Sequence, residues 1–226
     1  MESLQGFKPG IAKVELEQYE TDGATAIELA FIAGAMHGDL NGRIVLDMCS
    51  GTGQLSFASF FFGATRAVCV EVDGDAMEIA AKNASKLNLE PKMHFILADA
   101  LHQPFRDVPV RVLQKKGNGF HDASEGNHLS RKFTVLLNPP FGIQGKTPDL
   151  AFLKAAMEIP YVCVIYSLHL KNEKNRQYLK EKIGKQGWNV TDMYSTKLIL
   201  PRLYDFQVKE KKEIEVDILR IAPGSG

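Results

Sequence analysis

Short apolar segments recur along the chain, and several of them end in an acidic or amide residue. They are rich in Val, Ile, Leu and Phe, which is typical of strands buried on both faces of a sheet. Five such segments are predicted strands: Arg43–Met48, Val68–Asp73, Met93–Ala98, Phe133–Asn138 and Val162–Tyr166.

Amphipathic segments with helical spacing alternate with these strands. The predicted helices are Ala24–Met36, Gln54–Phe62, Asp75–Leu87, Asp149–Glu158 and Lys174–Lys185. Two closing strands, Trp188–Ile199 and Glu213–Ile221, are expected to pair antiparallel. The alternation predicts an α/β fold with a mostly parallel sheet and helices on both faces.

The segment from Gln103 to Lys132 interrupts this compact spacing. It is polar, rich in Gly, His, Asn and Lys, and longer than a crossover between two strands requires. Loops of this length inside a domain are either functional or disordered. We expect a flexible insertion that helps to grip a substrate, with disorder as the alternative.

Length and composition indicate one domain with a full hydrophobic core. The chain has 226 residues, 45% of them apolar, and 27 basic residues balance 27 acidic ones. A protein that relies on bulk electrostatic attraction to nucleic acid is usually basic. Binding of RNA or DNA would therefore need a local basic patch, a partner, or both.

Cysteine and histidine usage argues against disulfides and metal sites. The cysteines Cys49, Cys69 and Cys163 show no CxxC spacing and are interpreted as buried free thiols, and the six histidines are scattered. No apolar stretch has membrane-spanning length and no signal-peptide pattern begins the chain. We expect a soluble intracellular protein, in cytoplasm and nucleus, without a resident metal.

The tetrapeptide Asn138-Pro139-Pro140-Phe141 follows the fourth predicted strand. The prolines fix φ and end the strand, so the corner is rigid, polar and flanked by an aromatic ring. Such a corner suits the amino group of a planar base or amide. The alternative is a simple strand-terminating turn.

A glycine-containing turn, Cys49-Ser50-Gly51-Thr52-Gly53, follows the first strand and precedes a helix. Such a turn lets the backbone approach a ligand closely. Ser56 stands where a dinucleotide enzyme would have its third glycine. Asp47, at the end of the strand, either caps the turn or binds a cationic ligand.

Acidic residues also end the second and third strands. Glu71 suits ribose hydroxyls, Asp99 suits an adenine amino group, and Asp73 is explained as the N-cap of the following helix. Ligands of open α/β sheets bind at the carboxyl ends of the strands. Four successive strand ends that carry Asp47, Glu71, Asp99 and Asn138 therefore predict a ligand site.

This ordered set resembles the class I S-adenosylmethionine-dependent methyltransferases of the NPPF/Y group. Four further segments are similar to the enzymes of that group that make N6-methyladenosine in eukaryotic small-subunit rRNA. The segments are Leu16–Thr21 (LEQYET), Asp149–Lys154 (DLAFLK), Tyr166–His169 (YSLH) and Ile214–Asp217 (IEVD). Two positions depart from the family pattern, because Cys49 replaces its first motif glycine and Glu20 replaces a proline.

The resemblance implies a Rossmann-like seven-stranded sheet with an antiparallel last strand, in a single methyltransferase domain over residues 1–226. Residues 1–40 would form an N-terminal lid and helix. Asn138, Pro139, Pro140 and Phe141 would be catalytic. The residues implied to bind S-adenosylmethionine are Gln18, Tyr19, Thr21, Asp47, Ser50, Gly51, Gly53, Leu55, Glu71, Val72, Asp99, Ala100 and Asn138.

The resemblance also implies two partners, ribosomal RNA and a small zinc-ribbon activator subunit. The subunit would form a heterodimer by strand addition at the edge strand Met93–Ala98. Basic residues near the site are either phosphate contacts or a solvated face. They are Lys171, Lys174, Arg176, Lys209, Lys211 and Lys212.

Three other functions share parts of this pattern. A glutamine-N5 methyltransferase of release factors usually carries Tyr after the prolines and a separate N-terminal helical domain, whereas this chain has Phe141. A DNA adenine methyltransferase would normally carry a target-recognition domain. A catalytically silent methyltransferase fold is favoured only by Cys49. The sequence therefore favours rRNA adenine N6-methylation by direct methyl transfer to an unstacked adenosine.

Overall fold

A seven-stranded mixed sheet forms the centre of the molecule in the computed structural model, which describes residues 4–6, 20–102, 133–141, 148–201 and 211–224. Its strand order is β3-β2-β1-β4-β5-β7-β6. The strands are β1 Ile44–Met48, β2 Arg66–Glu71, β3 Met93–Leu97, β4 Phe133–Leu137, β5 Val162–Leu170, β6 Trp188–Pro201 and β7 Lys211–Pro223.

Strands β1 to β5 are parallel, and β7 runs antiparallel to both β5 and β6. The sequence prediction of a mostly parallel sheet with an antiparallel last strand is confirmed. The predicted strand boundaries agree within two residues at most ends. Strand β5 continues to Leu170, four residues beyond the prediction, because it pairs with β7 as far as Val216.

Five helices cover the two faces of this sheet. They are α1 Gly23–Phe31, α2 Gln54–Phe60, α3 Gly74–Lys86, α4 Pro148–Met157 and α5 Glu173–Gly184. Helices α1 and α2 pack on the face that presents Val45, Cys69 and Leu136. Helices α4 and α5 pack on the opposite face, against a second hydrophobic cluster. Alternation of side chains along each buried strand produces these two cores.

The first predicted helix differs from the observed one. Helix α1 ends at Phe31, and residues Ile32–Met36 continue as a π-helical turn. A Cβ atom at Gly34 would lie 2.4 Å from the Phe62 Cβ, so this turn packs directly on the end of α2. Tertiary packing of this kind leaves no signal in hydrophobic spacing, which explains why a continuous α-helix was predicted.

Side-chain caps fix where several helices begin. Asp22 accepts hydrogen bonds from the backbone N–H groups of Ala24 and Thr25 and caps α1. Asp73 accepts from the N–H of Asp75 and caps α3, as its position in the sequence predicted.

The cysteines are free, but only Cys69 is fully buried, so the expectation of burial is wrong for Cys49 and Cys163.

In the described ranges, no helix is long and apolar enough to cross a membrane. The predicted insertion at residues 103–132 lies outside the described residues.

Candidate active site

The carboxyl ends of β3, β2, β1 and β4 lie side by side because these four strands are parallel neighbours. Asp47 near the end of β1 is in register with Cys69 of β2 and Leu136 of β4. Asp99 follows β3 and Asn138 follows β4 at the same edge. The predicted alignment of the four polar strand ends is thus confirmed.

The turn after β1 has the backbone conformation that glycine favours. Gly51 and Gly53 have φ values of 53° and 88°, and Gly53 begins helix α2. A Cβ at Gly53 would lie 2.9 Å from the Phe57 ring, whereas a Cβ at Gly51 would meet no atom within 4 Å. Gly53 is therefore required for packing, and the turn at Gly51 has open space beside it.

Cys49 occupies a strained position in this turn. Its φ is 63°, in the left-handed region that residues with a Cβ atom adopt only at an energetic cost. The position where the family resemblance has glycine therefore keeps a glycine-like backbone in this chain.

Asp47 is fully buried at the start of the turn. Its Oδ2 accepts from the Ser56 N–H at 3.0 Å and the Ser56 hydroxyl at 2.6 Å. Within the described part of the chain its Oδ1 has no hydrogen-bond partner. Burial raises the pKa of Asp47 to about 7, against the lowering effect of the Ser56 hydrogen bonds. Ser56, which replaces a dinucleotide-motif glycine, thus holds this carboxylate.

Glu71 receives three backbone N–H groups. Its Oε2 accepts from Gly51 at 2.8 Å, and its Oε1 accepts from Val72 and Asp73 at 3.0 Å each. Burial raises the pKa of Glu71, and these hydrogen bonds oppose the rise. Because a carboxylate oxygen accepts more than one hydrogen bond, Oε2 retains capacity for a ligand hydroxyl. Glu71 therefore also joins the glycine turn to the end of β2.

Asp99 is engaged in its own turn. It accepts from the Leu101 N–H at 2.9 Å and lies 2.8 Å from Nδ1 of the exposed His102. Next to these acids, Val72 and Leu101 expose 53% and 40% of their surface. Two exposed apolar side chains beside two carboxylates suit a planar, amino-bearing ring. Sequence reasoning named Val72 and the buried Ala100 but missed Leu101, since only exposure distinguishes it.

Asn138 has one polar atom paired and one free. Its Nδ2 donates to the Thr21 hydroxyl at 2.8 Å. Its Oδ1 is buried and has no partner among the described residues. Pro139 is buried beside it, and the half-buried Phe141 packs against the core on the α1 and α2 side. An isolated buried carbonyl oxygen next to an aromatic ring is suited to accept a hydrogen bond from a bound amino group.

Glu20 connects the N-terminal segment to the glycine turn, a contact that sequence reasoning missed. Its Oε1 accepts from the Thr52 hydroxyl at 2.8 Å and from Gln54 Nε2 at 3.0 Å. The sequence showed Glu20 only as a departure from a family proline, and no spacing rule links it to residues 32 and 34 positions away. The predicted lid residues Gln18 and Tyr19 lie outside the described residues.

Buried polar atoms without a partner concentrate around this site. Four of the eight such side-chain atoms in the described ranges lie here: Asp47 Oδ1, Ser50 Oγ, Gln54 Oε1 and Asn138 Oδ1. Buried polar groups in proteins are nearly always paired, so a cluster of exceptions indicates a ligand site. All four atoms are able to accept hydrogen bonds, which favours a cationic or donor-rich ligand.

The basic residues predicted near the site are partly committed to acidic neighbours. Arg176 binds the buried Asp217 through two contacts of 2.7 Å, and Lys171 lies 3.2 Å from Glu215. The structure thus gives Arg176 a structural role. Lys174 is exposed. Lys209 and the side chains of Lys211 and Lys212 lie outside the described part of the chain. Among the described residues, no group of three or more His, Cys, Asp or Glu side chains could hold a metal ion.

Comparisons with known proteins identify relatives that match most or all of this chain. A family model described as conserved hypothetical protein 95 matches residues 29–111. An uncharacterized protein of Methanocaldococcus jannaschii is 33% identical over 92% of this chain and 85% of its own length. The rRNA N6-adenosine-methyltransferase of Drosophila melanogaster is 30% identical over all of this chain and 94% of its own length.

A solved structure supports the same relationship. A Pyrococcus horikoshii protein described as a candidate RNA methyltransferase superposes with a TM-score of 0.76 and 31% identity. The match covers 99% of this chain and 95% of the other. The likeness therefore extends over the sheet, the helices and the strand ends that carry the site.

Proposed function

The chain belongs to the family of the rRNA N6-adenosine-methyltransferases, and we propose that it transfers a methyl group to the N6 atom of an unstacked adenosine in small-subunit rRNA. The observation that carries this proposal is the buried Oδ1 of Asn138 at the end of β4, which has no hydrogen-bond partner in the described part of the chain.

Three of the four unpartnered oxygens, those of Asp47, Ser50 and Gln54, fit the methyl donor of this family. S-adenosylmethionine supplies an electrophilic methyl group on a positively charged sulfur. Asp47, Ser50 and Gln54, around the glycine turn, would hold its charged amino-acid part, since they present free acceptors to it. Glu71, Val72, Asp99, Ala100 and Leu101 would hold its ribose and adenine, because they combine carboxylates with exposed or closely packed apolar side chains.

Asn138 would act on the target amino group. The lone pair of the adenine N6 atom is delocalised into the ring, which makes this nitrogen a poor nucleophile. If Asn138 Oδ1 and the Pro139 carbonyl each accept one of its N–H bonds, the lone pair localises and turns toward the methyl group. Placement of acceptors where positive charge develops accelerates such a transfer.

Phe141 would fix the plane of the target base. Stacking of a base on an aromatic ring contributes roughly 1–3 kcal/mol, and Phe141 is half-buried against the core, which limits its movement. A base reaches such a pocket only outside its helical stack. We therefore infer that the target adenosine lies in a loop or another unstacked region of the rRNA.

The activator subunit would bind at β3. This strand is one of the two edges of the sheet, and its last residue, Leu97, exposes 61% of its surface. The N–H of Ala98 donates inward to Glu71, so alternate backbone groups of β3 face outward and are open to a further strand. An exposed apolar side chain at an open edge supports strand addition by a partner.

Product analysis tests the proposed function. The purified protein, with and without the activator subunit, is incubated with labelled S-adenosylmethionine and, in separate reactions, with small-subunit particles or with a release factor. Nucleoside mass spectrometry should find N6-methyladenosine in the small-subunit rRNA. Label in a glutamine of a release factor, in another nucleoside, or in neither fraction would overturn the proposal.

A further inference from the structure

The carboxylate of Glu20 is enclosed between the N-terminal segment and the glycine turn. Its Oε1 accepts from the Thr52 hydroxyl at 2.8 Å and from Gln54 Nε2 at 3.0 Å. On the other side lies Gly6, where a Cβ atom would collide with Glu20 Oε2. The carboxylate therefore has little room to move away from the turn.

The segment that carries Gly6 is itself anchored to the domain. Asn83, which is fully buried in α3, binds the backbone of Gln5 through both atoms of its side-chain amide. Its Oδ1 accepts from the Gln5 N–H and its Nδ2 donates to the Gln5 carbonyl, each at 2.8 Å. Leu4 packs against the core on the α1 and α2 side. This segment therefore encloses Glu20 from the side opposite the turn.

Glu20 determines which way the side-chain amide of Gln54 faces. An ionised carboxylate offers hydrogen-bond acceptors and no donor, so only the NH₂ group of Gln54 can bind it. The rotated amide would place two acceptor oxygens against each other. Gln54 Oε1 is thus directed away from Glu20, and it is buried without a partner among the described residues.

Gln54 Oε1 can bind only a ligand group that donates hydrogen bonds. Gln54 follows Gly53 at the beginning of α2, and the unpartnered Ser50 Oγ lies in the same glycine turn. A buried amide oxygen that stays unpaired is unfavourable, and hydrogen bonds from a charged donor are stronger than those from a neutral one. The ammonium group of the cofactor's amino-acid part is such a donor.

We propose that Glu20 is a positioning residue for the methyl donor, which orients the Gln54 amide so that Gln54 Oε1 accepts a hydrogen bond from the ammonium group of S-adenosylmethionine. This inference rests on the proposed function, because it assigns a residue to the cofactor site of that enzyme. Glu20 stands where the family pattern has proline, so the contact is a property of this chain.

Calorimetry with two matched ligands tests the role of Glu20. S-adenosylhomocysteine carries the amino-acid part, whereas 5′-methylthioadenosine has the same adenosine and sulfur without it. Glu20→Ala should raise Kd for S-adenosylhomocysteine about ten-fold, because the Gln54 amide is no longer oriented, and should leave Kd for 5′-methylthioadenosine within about two-fold. Equal losses for the two ligands, or no loss for either, would overturn the proposal.

Glu28→Ala is the matched control. Glu28 in α1 is exposed and also accepts from a threonine hydroxyl, that of Thr196, but this hydrogen bond joins α1 to β6. Both Kd values should stay within about two-fold of wild type. A rise for S-adenosylhomocysteine as large as that of Glu20→Ala would mean that the loss of any such carboxylate lowers the affinity, and would overturn the specific role of Glu20.

Gln54→Leu separates positioning from direct contact with the ligand. This variant lacks the amide and should itself bind S-adenosylhomocysteine about ten-fold more weakly, and the addition of Glu20→Ala should cause no further loss. A further loss in the double variant would mean that Glu20 acts on the ligand without Gln54, and would overturn the proposal. Wild-type protein that binds both ligands but methylates no rRNA would instead overturn the proposed function, so the two failures are distinguishable.

Discussion

The burial and hydrogen bonding of Asp47 indicate which kind of ligand the site would bind. Its carboxylate is fully buried, one oxygen is bonded to Ser56, and the other has no partner among the described residues. An ionised carboxylate in that position is unfavourable until a cationic group arrives. The residue therefore links the stability of the protein to pH and to cofactor binding.

The unliganded protein should become less stable as the pH rises from about 4 to about 7. The pKa of Asp47 is raised by burial from 3.8 to about 7, so the folded state binds more protons than the unfolded state in this window. Asp47→Asn cannot ionise and should gain stability relative to wild type by a few kcal/mol between pH 5 and pH 8. Urea unfolding of both proteins at these two pH values measures the effect. If the difference in free energy of unfolding between Asp47→Asn and wild type does not grow with pH, the raised pKa of Asp47 would be contradicted.

Cys49 is a second residue whose effect on the stability of the protein can be measured. Its left-handed backbone should make Cys49→Gly more stable than wild type by about 0.5–1 kcal/mol, after the greater flexibility of an unfolded glycine is subtracted. Cys49→Ala keeps a Cβ at the same φ and should show no such gain. Urea unfolding compares the three proteins, and a Cys49→Gly variant no more stable than Cys49→Ala would rule out backbone strain.

The location of a site residue could be predicted from sequence where the order of the strands along the chain determines it. Asp47, Glu71, Asp99 and Asn138 each lie at or just beyond the carboxyl end of a recognisable strand, so their common edge could be predicted. The contacts of Glu20 and Thr21 could not be predicted, because they join residues that lie 32 to 117 positions apart in the sequence. The hydrogen bond from Asn138 Nδ2 to the Thr21 hydroxyl is seen only in the folded structure.

At the scale of elements, the edge strand β3 is the feature with a consequence for assembly. Its position at an edge was implied by the resemblance to the methyltransferase fold, and the strand order confirms it. Exposure of Leu97 was not predictable, since apolar residues at strand ends are usually buried. The combination of an open edge and an exposed leucine is what supports a partner at this strand.

Leu97→Asp should weaken the complex with the activator subunit at least about ten-fold, because it places a charge in the proposed apolar contact. Calorimetry with the purified subunit measures this affinity. Met36→Asp is the control, since Met36 is 53% exposed but lies in the π-helical turn, away from the sheet edge. Equal affinity of the Leu97→Asp and Met36→Asp proteins would place the partner elsewhere.

Other element boundaries show the limits of pattern reasoning. The sequence predicted the seven strands and five α-helices of the described ranges, because hydrophobic spacing and segment length separate strands from helices. The π-helical turn at Ile32–Met36 was missed because it depends on the close approach of Gly34 to Phe62. The extension of β5 was missed because antiparallel pairing with β7 sets its end.

At the scale of the whole molecule, charge and architecture have different consequences. The sheet brings Asp47 and Glu71, which we propose to bind the methyl donor, next to Asn138, which we propose to bind the methyl acceptor. The balanced charge of 27 basic and 27 acidic residues gives no general attraction to RNA. Arg176 and Lys171 are paired with acids, which reduces the basic surface further. We therefore expect the activator subunit to contribute to rRNA binding.

We propose that Asn138 Oδ1, which has no partner among the described residues, receives the target amino group and does not hold the cofactor. The most direct test measures two quantities for Asn138→Ala with the activator complex: kcat on small-subunit rRNA, and Kd for S-adenosylmethionine by calorimetry. We predict a fall in kcat of at least about 100-fold, with Kd unchanged within a few-fold. Retained methylation, or a loss of cofactor binding that accounts for the lost activity, would contradict the account.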